Sequence, residues 1–168
     1  AEISAPKFRK VSLEMGGKNA TLVFGDCGFD AAVEGSVRAA FSNQGQICLC
    51  GSRILVEKSI YSKFRDAFVE KVKGLRIGDP SEESTEQGAL VSPAHLNKVL
   101  GYLELAKAEG GKFLCGGRRA KVDGRCAEGV FLEPTVIEGL QVECRCNQEE
   151  IFGPVVTLIP FDGEEDAV

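Results

Sequence analysis

The chain contains one histidine in 168 residues, His95. A nucleophile here has no second imidazole to draw on, which leaves carboxylates as the candidate bases. Positive charge is not in excess either. The 25 acidic and 20 basic residues leave a net charge of −5, so nothing invites a polyanion, and nucleic acid is excluded as a partner class. No apolar run approaches the roughly 20 residues of a membrane span, and no charged-then-apolar signal segment opens the chain. No G-x-G-x-x-G or G-x-x-x-x-G-K follows a predicted strand, and Gly16-Gly17-Lys18 is too short to cradle a phosphate. If a dinucleotide is bound, its main binding loop is not among these residues.

What is present is an ordinary hydrophobic content of 43% in a length that suits one domain burying roughly 70% of its unfolded surface. Glycine is abundant, 20 residues where about 12 would be usual, and it clusters at predicted turns. Seven cysteines (27, 48, 50, 115, 126, 144 and 146) are an odd number at irregular spacing. They are expected to be reduced thiols in a cytoplasmic compartment rather than a disulfide framework. Cys48/Cys50 and Cys144/Cys146 form Cys-x-Cys pairs, but structural zinc sites use Cys-x₂₋₄-Cys, so no metal is expected. His95 falls on the outer side of a predicted helix and reads as a surface residue.

Short β-branched runs alternate with amphipathic stretches, the pattern of an α/β domain with a largely parallel twisted sheet and flanking helices. Strands are expected at Val11–Glu14, Ala20–Phe24, Arg53–Glu57, Lys112–Cys115 and Val155–Pro160. The segment Phe131–Ile137 should be mostly extended, confined by Pro134 to an edge or an irregular path. A helix capped by Asp30 should end near Gly45, a second capped by Ser59 should end at Gly78-Asp79-Pro80, and a third should span Ala94–Ala108. Residues 118–129 read as a hairpin tip or loop, and 163–168 as the start of another helix.

The stretch that organises this pattern is Phe41–Arg53, FSNQGQICLCGSR. It sets Cys48 between a helix and a strand, after small and amide residues, where a thiol can be both reachable and partly ionised. A buried small hydrophobe is the plainer alternative. Cys50, two residues on, would share a face with Cys48 in an extended segment. Glu14 ends the first expected strand and could face a cleft, or could be a solvated turn residue.

Three blocks carry a resemblance. Leu13-Glu14-Met15-Gly16-Gly17-Lys18-Asn19 resembles the glutamate motif of the aldehyde dehydrogenase superfamily, and Phe41–Arg53 resembles that family's cysteine motif. Glu149-Glu150-Ile151-Phe152-Gly153-Pro154-Val155 resembles a third block, near the nicotinamide. Together they span essentially the whole chain, and Asn-Gln-Gly-Gln-Ile-Cys-Leu-Cys is similar to the branch acting on 2-aminomuconic or 2-hydroxymuconic semialdehydes.

The resemblance implies a Rossmann-like three-layer catalytic domain over residues 1–168. The nucleotide-binding domain would precede it and a C-terminal oligomerisation segment would follow. It implies Cys48 as the nucleophile that carries a thiohemiacetal and then a thioester, with Glu14 activating the water that hydrolyses it. Glu150, Phe152, Lys98, Met15 and Gly16 would contact the cofactor, NAD or NADP with NAD favoured. Ile47 and Leu49 would flank the aldehyde. The family often has Gln where His95 stands. The full-length enzyme would be a homodimer or homotetramer acting on a small-molecule aldehyde, and the 168 residues alone would bind NAD weakly and turn over little.

The resemblance leaves other outcomes open. They are a CoA-acylating semialdehyde dehydrogenase, a cofactor-independent esterase, or a non-catalytic crystallin-like relative. Retention of Cys48 and Glu14 favours the hydrolytic dehydrogenase.

Overall fold

Alternation along the central strands builds the molecule. The computed structural model describes all 168 residues. Its strands are β1 (Ala20–Val23), β2 (Arg53–Glu57), β3 (Lys112–Cys115), β4 (Thr135–Glu138) and β5 (Val155–Phe161). Its α-helices are α1 (Phe29–Phe41), α2 (Tyr61–Lys73), α3 (Pro93–Ala108), α4 (Arg145–Gln148) and α5 (Glu164–Ala167). The strands lie in the order β1-β2-β5-β4-β3. The β1–β2, β2–β5 and β4–β5 ladders are parallel, and β3 joins β4 antiparallel.

Successive residues of a strand point to opposite faces, and both faces here are apolar. Val136, Val156 and Leu158, with Ile54 and Val56, pack against Val37 of α1 and Phe64 and Phe68 of α2. Ile137 and Val155, one residue out of phase, pack against Leu96, Val99 and Leu103 of α3. The result is the expected three-layer, largely parallel α/β arrangement. Phe64 and Phe68 are both 0% exposed, and burial of each contributes about 1.5–3 kcal/mol. No helix is long and apolar enough to cross a membrane.

Several expected boundaries move. Val11–Glu14 is irregular and exposed, because no strand of the chain pairs with it. The sheet begins at Ala20 instead. Asp30 does not cap α1: Gly28 holds the cap position and Asp30 lies in the first turn. Ser59 does not cap α2 either, since its hydroxyl donates to Glu57 Oε1 at 2.9 Å and Ile60 occupies the cap. That helix stops at Gly74, before the Gly78-Asp79-Pro80 turn. Helix α3 starts one residue early, with Ser92 accepting from the His95 N–H at 3.1 Å and Pro93 in the first turn, where a missing amide hydrogen does no harm. Pro134 does not force an edge position. It stands just outside β4, a strand flanked by β5 and β3.

Candidate active site

Parallel pairing assembles the site. Residues 13–19 lead into β1, residues 42–52 into β2 and residues 149–154 into β5, and these three strands are neighbours. Ala20 lies opposite Arg53, and Arg53 opposite Thr157. Adjacent parallel strands start at one sheet edge about 4.8 Å apart, so the three stretches emerge side by side. The edge is the amino-terminal one, opposite to the carboxyl-end crevice of doubly wound nucleotide folds.

Each stretch touches the other two. Asn19 Nδ2 donates to the Cys48 carbonyl at 2.6 Å. The Gly17 N–H donates to Glu150 Oε1 at 3.2 Å, and a Cβ on Gly16 would overlap the Glu150 carboxylate. A Cβ on Gly45 would overlap the Gly153 carbonyl. Asn19 was not singled out from sequence, although it closes the glutamate block.

The loop carrying Cys48 is tightly wound. After α1, Asn43, Gln44 and Gly45 take φ values of 49°, 55° and 68°. A left-handed conformation costs a non-glycine residue about 1–2 kcal/mol. The amide side chains help offset that cost. Asn43 Nδ2 donates to the Gln46 carbonyl at 3.1 Å, Gln44 Nε2 to the Ala89 carbonyl at 3.5 Å, and Gln46 Oε1 accepts from the Val91 N–H at 3.1 Å. From the far side, Gln87 Nε2 donates to the Phe41 carbonyl at 2.9 Å.

Cys48 and Leu49 then occupy the centre of a turn closed by the Cys50 N–H on the Ile47 carbonyl at 3.0 Å. The thiol of Cys48 is half-buried, and its backbone N–H donates to no group of the chain. Cys50 does not share an extended face with it. The turn sends Cys50 inward, where its thiol donates to the Ser42 carbonyl at 3.9 Å and burial pushes it above the usual thiol range.

Gly45 therefore needs both a positive φ and the space of a missing Cβ. Gly45→Ala is expected to destabilise the chain by about 2–5 kcal/mol, the left-handed cost plus a clash with rigid backbone. Chemical denaturation of the variant would expose the effect, and an unchanged midpoint would count against this account.

The other anticipated residues are distributed unevenly. Glu14 is exposed and makes no hydrogen bond or ion pair with the chain, so nothing bonds it to Cys48. It does not end a strand, as noted above. Met15 is 73% exposed. Ile47 and Leu49 border a hollow of about 390 Å³ with Gly35, Arg38 and Ala39 of α1, and Cys48 itself does not line it. A larger depression of about 1210 Å³ lies between α1 and α2 and reaches neither Cys48 nor Glu14.

Around Glu150 the contacts are denser. Lys98 Nζ donates to the Glu150 backbone carbonyl at 3.1 Å, and Phe152 sits at φ 62°. His95 is not the free surface residue expected from its helix position, because its ring reaches the Phe152 carbonyl at 2.5 Å. Tyr102 OH donates to Glu149 Oε2 at 2.7 Å, and Arg145, then Tyr102, hold that carboxyl down at about 2. Beneath the site, burial pushes the Lys18 amine down to about 8.

One oxygen of Glu150 is engaged by Gly17 and the other accepts nothing from the chain, beside backbone with no side chain at Gly16. A carboxylate so placed suits a hydroxyl-bearing group such as a ribose. No group of three or more His, Cys, Asp or Glu side chains is placed to hold a metal ion.

A sequence profile described as the aldehyde dehydrogenase family matches residues 1–168. The chain is 46% identical to 2-aminomuconic semialdehyde dehydrogenase of Mus musculus over 99% of its own length and 35% of that protein's. It is 43% identical to 2-aminomuconic 6-semialdehyde dehydrogenase of a Pseudomonas species, over 98% and 34%. A crystal structure of betaine aldehyde dehydrogenase from Staphylococcus aureus in complex with NAD+ superimposes with a TM-score of 0.89 at 40% identity, over 99% of this chain and 33% of that one. The chain thus spans about a third of the length of the relatives it matches.

Proposed function

The chain belongs to the aldehyde dehydrogenase family, and from that premise we propose that it is the catalytic domain of an NAD(P)-dependent enzyme oxidising an aldehyde to a carboxylic acid. The observation that carries the reading is the meeting of three stretches at one sheet edge, with a half-buried thiol in the tip of a turn.

The chemistry follows from this chain's own groups. The Cys48 thiolate adds to the aldehyde carbon and forms a thiohemiacetal. The Cys48 N–H, which no other group claims, donates to the oxygen that becomes negative; removing one such donor typically costs 10²–10³-fold. NAD(P)+, when bound, supplies the hydride acceptor that leaves Cys48 carrying a thioester. Glu14 then takes a proton from the water that attacks this thioester, which releases the acid. Glu150 would hold the cofactor by offering its uncommitted oxygen to a ribose hydroxyl, with Lys98 steadying the Glu150 backbone, and Phe152 would pack against the nicotinamide. Ile47 and Leu49 flank the thiol in sequence and are the nearest candidates for guiding the aldehyde, and Met15 and Gly16 would offer backbone to the cofactor.

A muconic-type semialdehyde is the substrate we favour. Relatives named for 2-aminomuconic semialdehyde stand at 43–46% identity, above those named for 4-trimethylaminobutyraldehyde at 39–41%. With all seven cysteines unpaired, we place the longer protein in the cytoplasm, as a homodimer or homotetramer.

Competitive alkylation near neutral pH tests the nucleophile. Burial pushes the thiols of Cys50, Cys115, Cys144 and Cys146 upward, which sets those four aside; a nucleophilic Cys48 should also label before the half-buried Cys27 and Cys126, and a simple aldehyde should protect it through the thiohemiacetal. Equal labelling at all seven, or no protection, would sink the assignment.

A further inference from the structure

Helix α3 grips the loop leading into β5 along a single stripe. His95, Lys98 and Tyr102, spaced i, i+3 and i+7, share one helix face. They bond in reverse order to Phe152, Glu150 and Glu149, at 2.5, 3.1 and 2.7 Å. The most demanding of these contacts is the first. Phe152 has φ 62°, a conformation that bulky residues rarely adopt. Its carbonyl can only accept, so the His95 ring must carry its proton on Nε2. The imidazole also meets the Phe152 ring edge-on, with centroids 6.0 Å apart.

The following peptide is fixed as well. The Gly153 carbonyl abuts Gly45, and a Cβ on Gly153 would lie 2.8 Å from Val99 Cγ2. The carbonyls of residues 152 and 153 are thus both held, one by the His95 ring of α3 and the other by the Val155 N–H, which donates to it at 2.7 Å where it abuts Gly45 of the loop that carries Cys48. Rotating the peptide between Phe152 and Gly153 would break the His95 bond.

We infer that His95 is a positioning residue whose Nε2–H holds Phe152 in its left-handed conformation and so sets the placement of the Phe152 ring beside Glu150. The inference rests on the reading above, in which Phe152 and Glu150 face the cofactor. It assigns the single histidine a role through backbone rather than through proton transfer.

Nuclear magnetic resonance on the isotopically labelled 168-residue chain tests it, with His95→Ala and His95→Gln alongside. The His95 ring should appear as the Nε2–H tautomer. Loss of the ring in His95→Ala should move the Phe152 Cα and Cβ resonances out of their left-handed range, with distant core resonances unchanged. In the longer protein proposed above, it should also weaken NAD binding about fivefold, the usual worth of one hydrogen bond. His95→Gln, whose side-chain amide can donate to the same carbonyl, should recover most of both effects.

A ring found as the Nδ1–H tautomer overturns the inference. So do Phe152 resonances indifferent to His95→Ala, or an NAD affinity unchanged when those resonances move. If Glu150→Ala and Phe152→Ala leave NAD binding untouched while Phe152 still responds to His95, the cofactor reading falls and the hold on Phe152 stands.

Discussion

Replacing Cys48 with alanine in the longer protein proposed above is expected to lower aldehyde-dependent NADH formation by on the order of 10⁴-fold or more, the scale on which removal of a covalent nucleophile acts. The size of the effect follows from the proposed chemistry, since without the thioadduct there is no acyl group to carry and no water attack for a base to promote. The remaining cysteines offer no substitute. Cys50 is nearest in sequence, yet it points into the core toward the Ser42 carbonyl, and burial disfavours its thiolate. Cys146 is buried against the Tyr102 carbonyl, and burial pushes its thiol up to about 12.

Cys48→Ser should fail nearly as completely, because the only histidine is committed to Phe152 and a carboxylate such as Glu14 is too weak a base to activate a hydroxyl. Cys50→Ala is the matched control, expected to cost some stability while leaving turnover within a few-fold. Stopped assays of NADH absorbance, with circular dichroism as a check on folding, decide the matter. Retention of more than a few per cent of the rate in Cys48→Ala would remove the nucleophile assignment.

The features legible in the sequence were those that short-range pattern determines. The Arg53–Glu57 strand and the apolar faces of α1 and α2 follow from period-2 and period-3.6 spacing. The three reactive blocks followed from residue identity and resemblance. What the pattern could not supply was pairing. Val11-Ser12-Leu13-Glu14 alternates as a strand should, but a strand exists only where another lies beside it, and no neighbour is found in these residues. Conversely, β5 is inserted between β2 and β4 by a long-range crossover that no local window reveals. That insertion is what brings Phe152 and Glu150 to the Cys48 edge.

Capping fails for a related reason: Asp30 and Ser59 are good cap residues by type, but the backbone enters α1 at Gly28, two residues earlier, and α2 at Ile60, one residue later. His95 was misjudged because the face that helical spacing marks as outward is the one covered by the loop before β5. The amide-rich composition of Phe41–Arg53 was visible. Its work of tying a left-handed run to residues 89–91 was not, since those bonds span about 45 positions.

Glu14 offers the sharper mechanistic test, because under the proposed reaction it acts on one half of the cycle more than the other. Glu14→Gln keeps the size and polarity of the side chain and removes its basicity. The carboxylate accepts no bond from the chain and pairs with no cation, so the substitution disturbs no contact of the fold, and any loss of rate reports chemistry. If Glu14 serves chiefly to activate water, rapid mixing should still give a first burst of about one NADH per Cys48. Steady-state turnover should then fall by 10²–10⁴-fold, the usual contribution of a general base. The acyl group should accumulate on Cys48, where mass spectrometry of the quenched protein would find the added mass.

A different outcome has a different meaning. If the burst slows in proportion to the steady state, Glu14 is the base for the Cys48 thiol and another group handles the water. If neither phase changes, Glu14 takes no part in the reaction. Nothing bonded to the side chain itself constrains Glu14. Its placement depends on the anchors that follow it, Gly17 on Glu150 and Asn19 on the Cys48 carbonyl. The base and the nucleophile would then be held in relation by backbone contacts at one sheet edge, which leaves the carboxylate free to turn between the thiol early in the cycle and the water later.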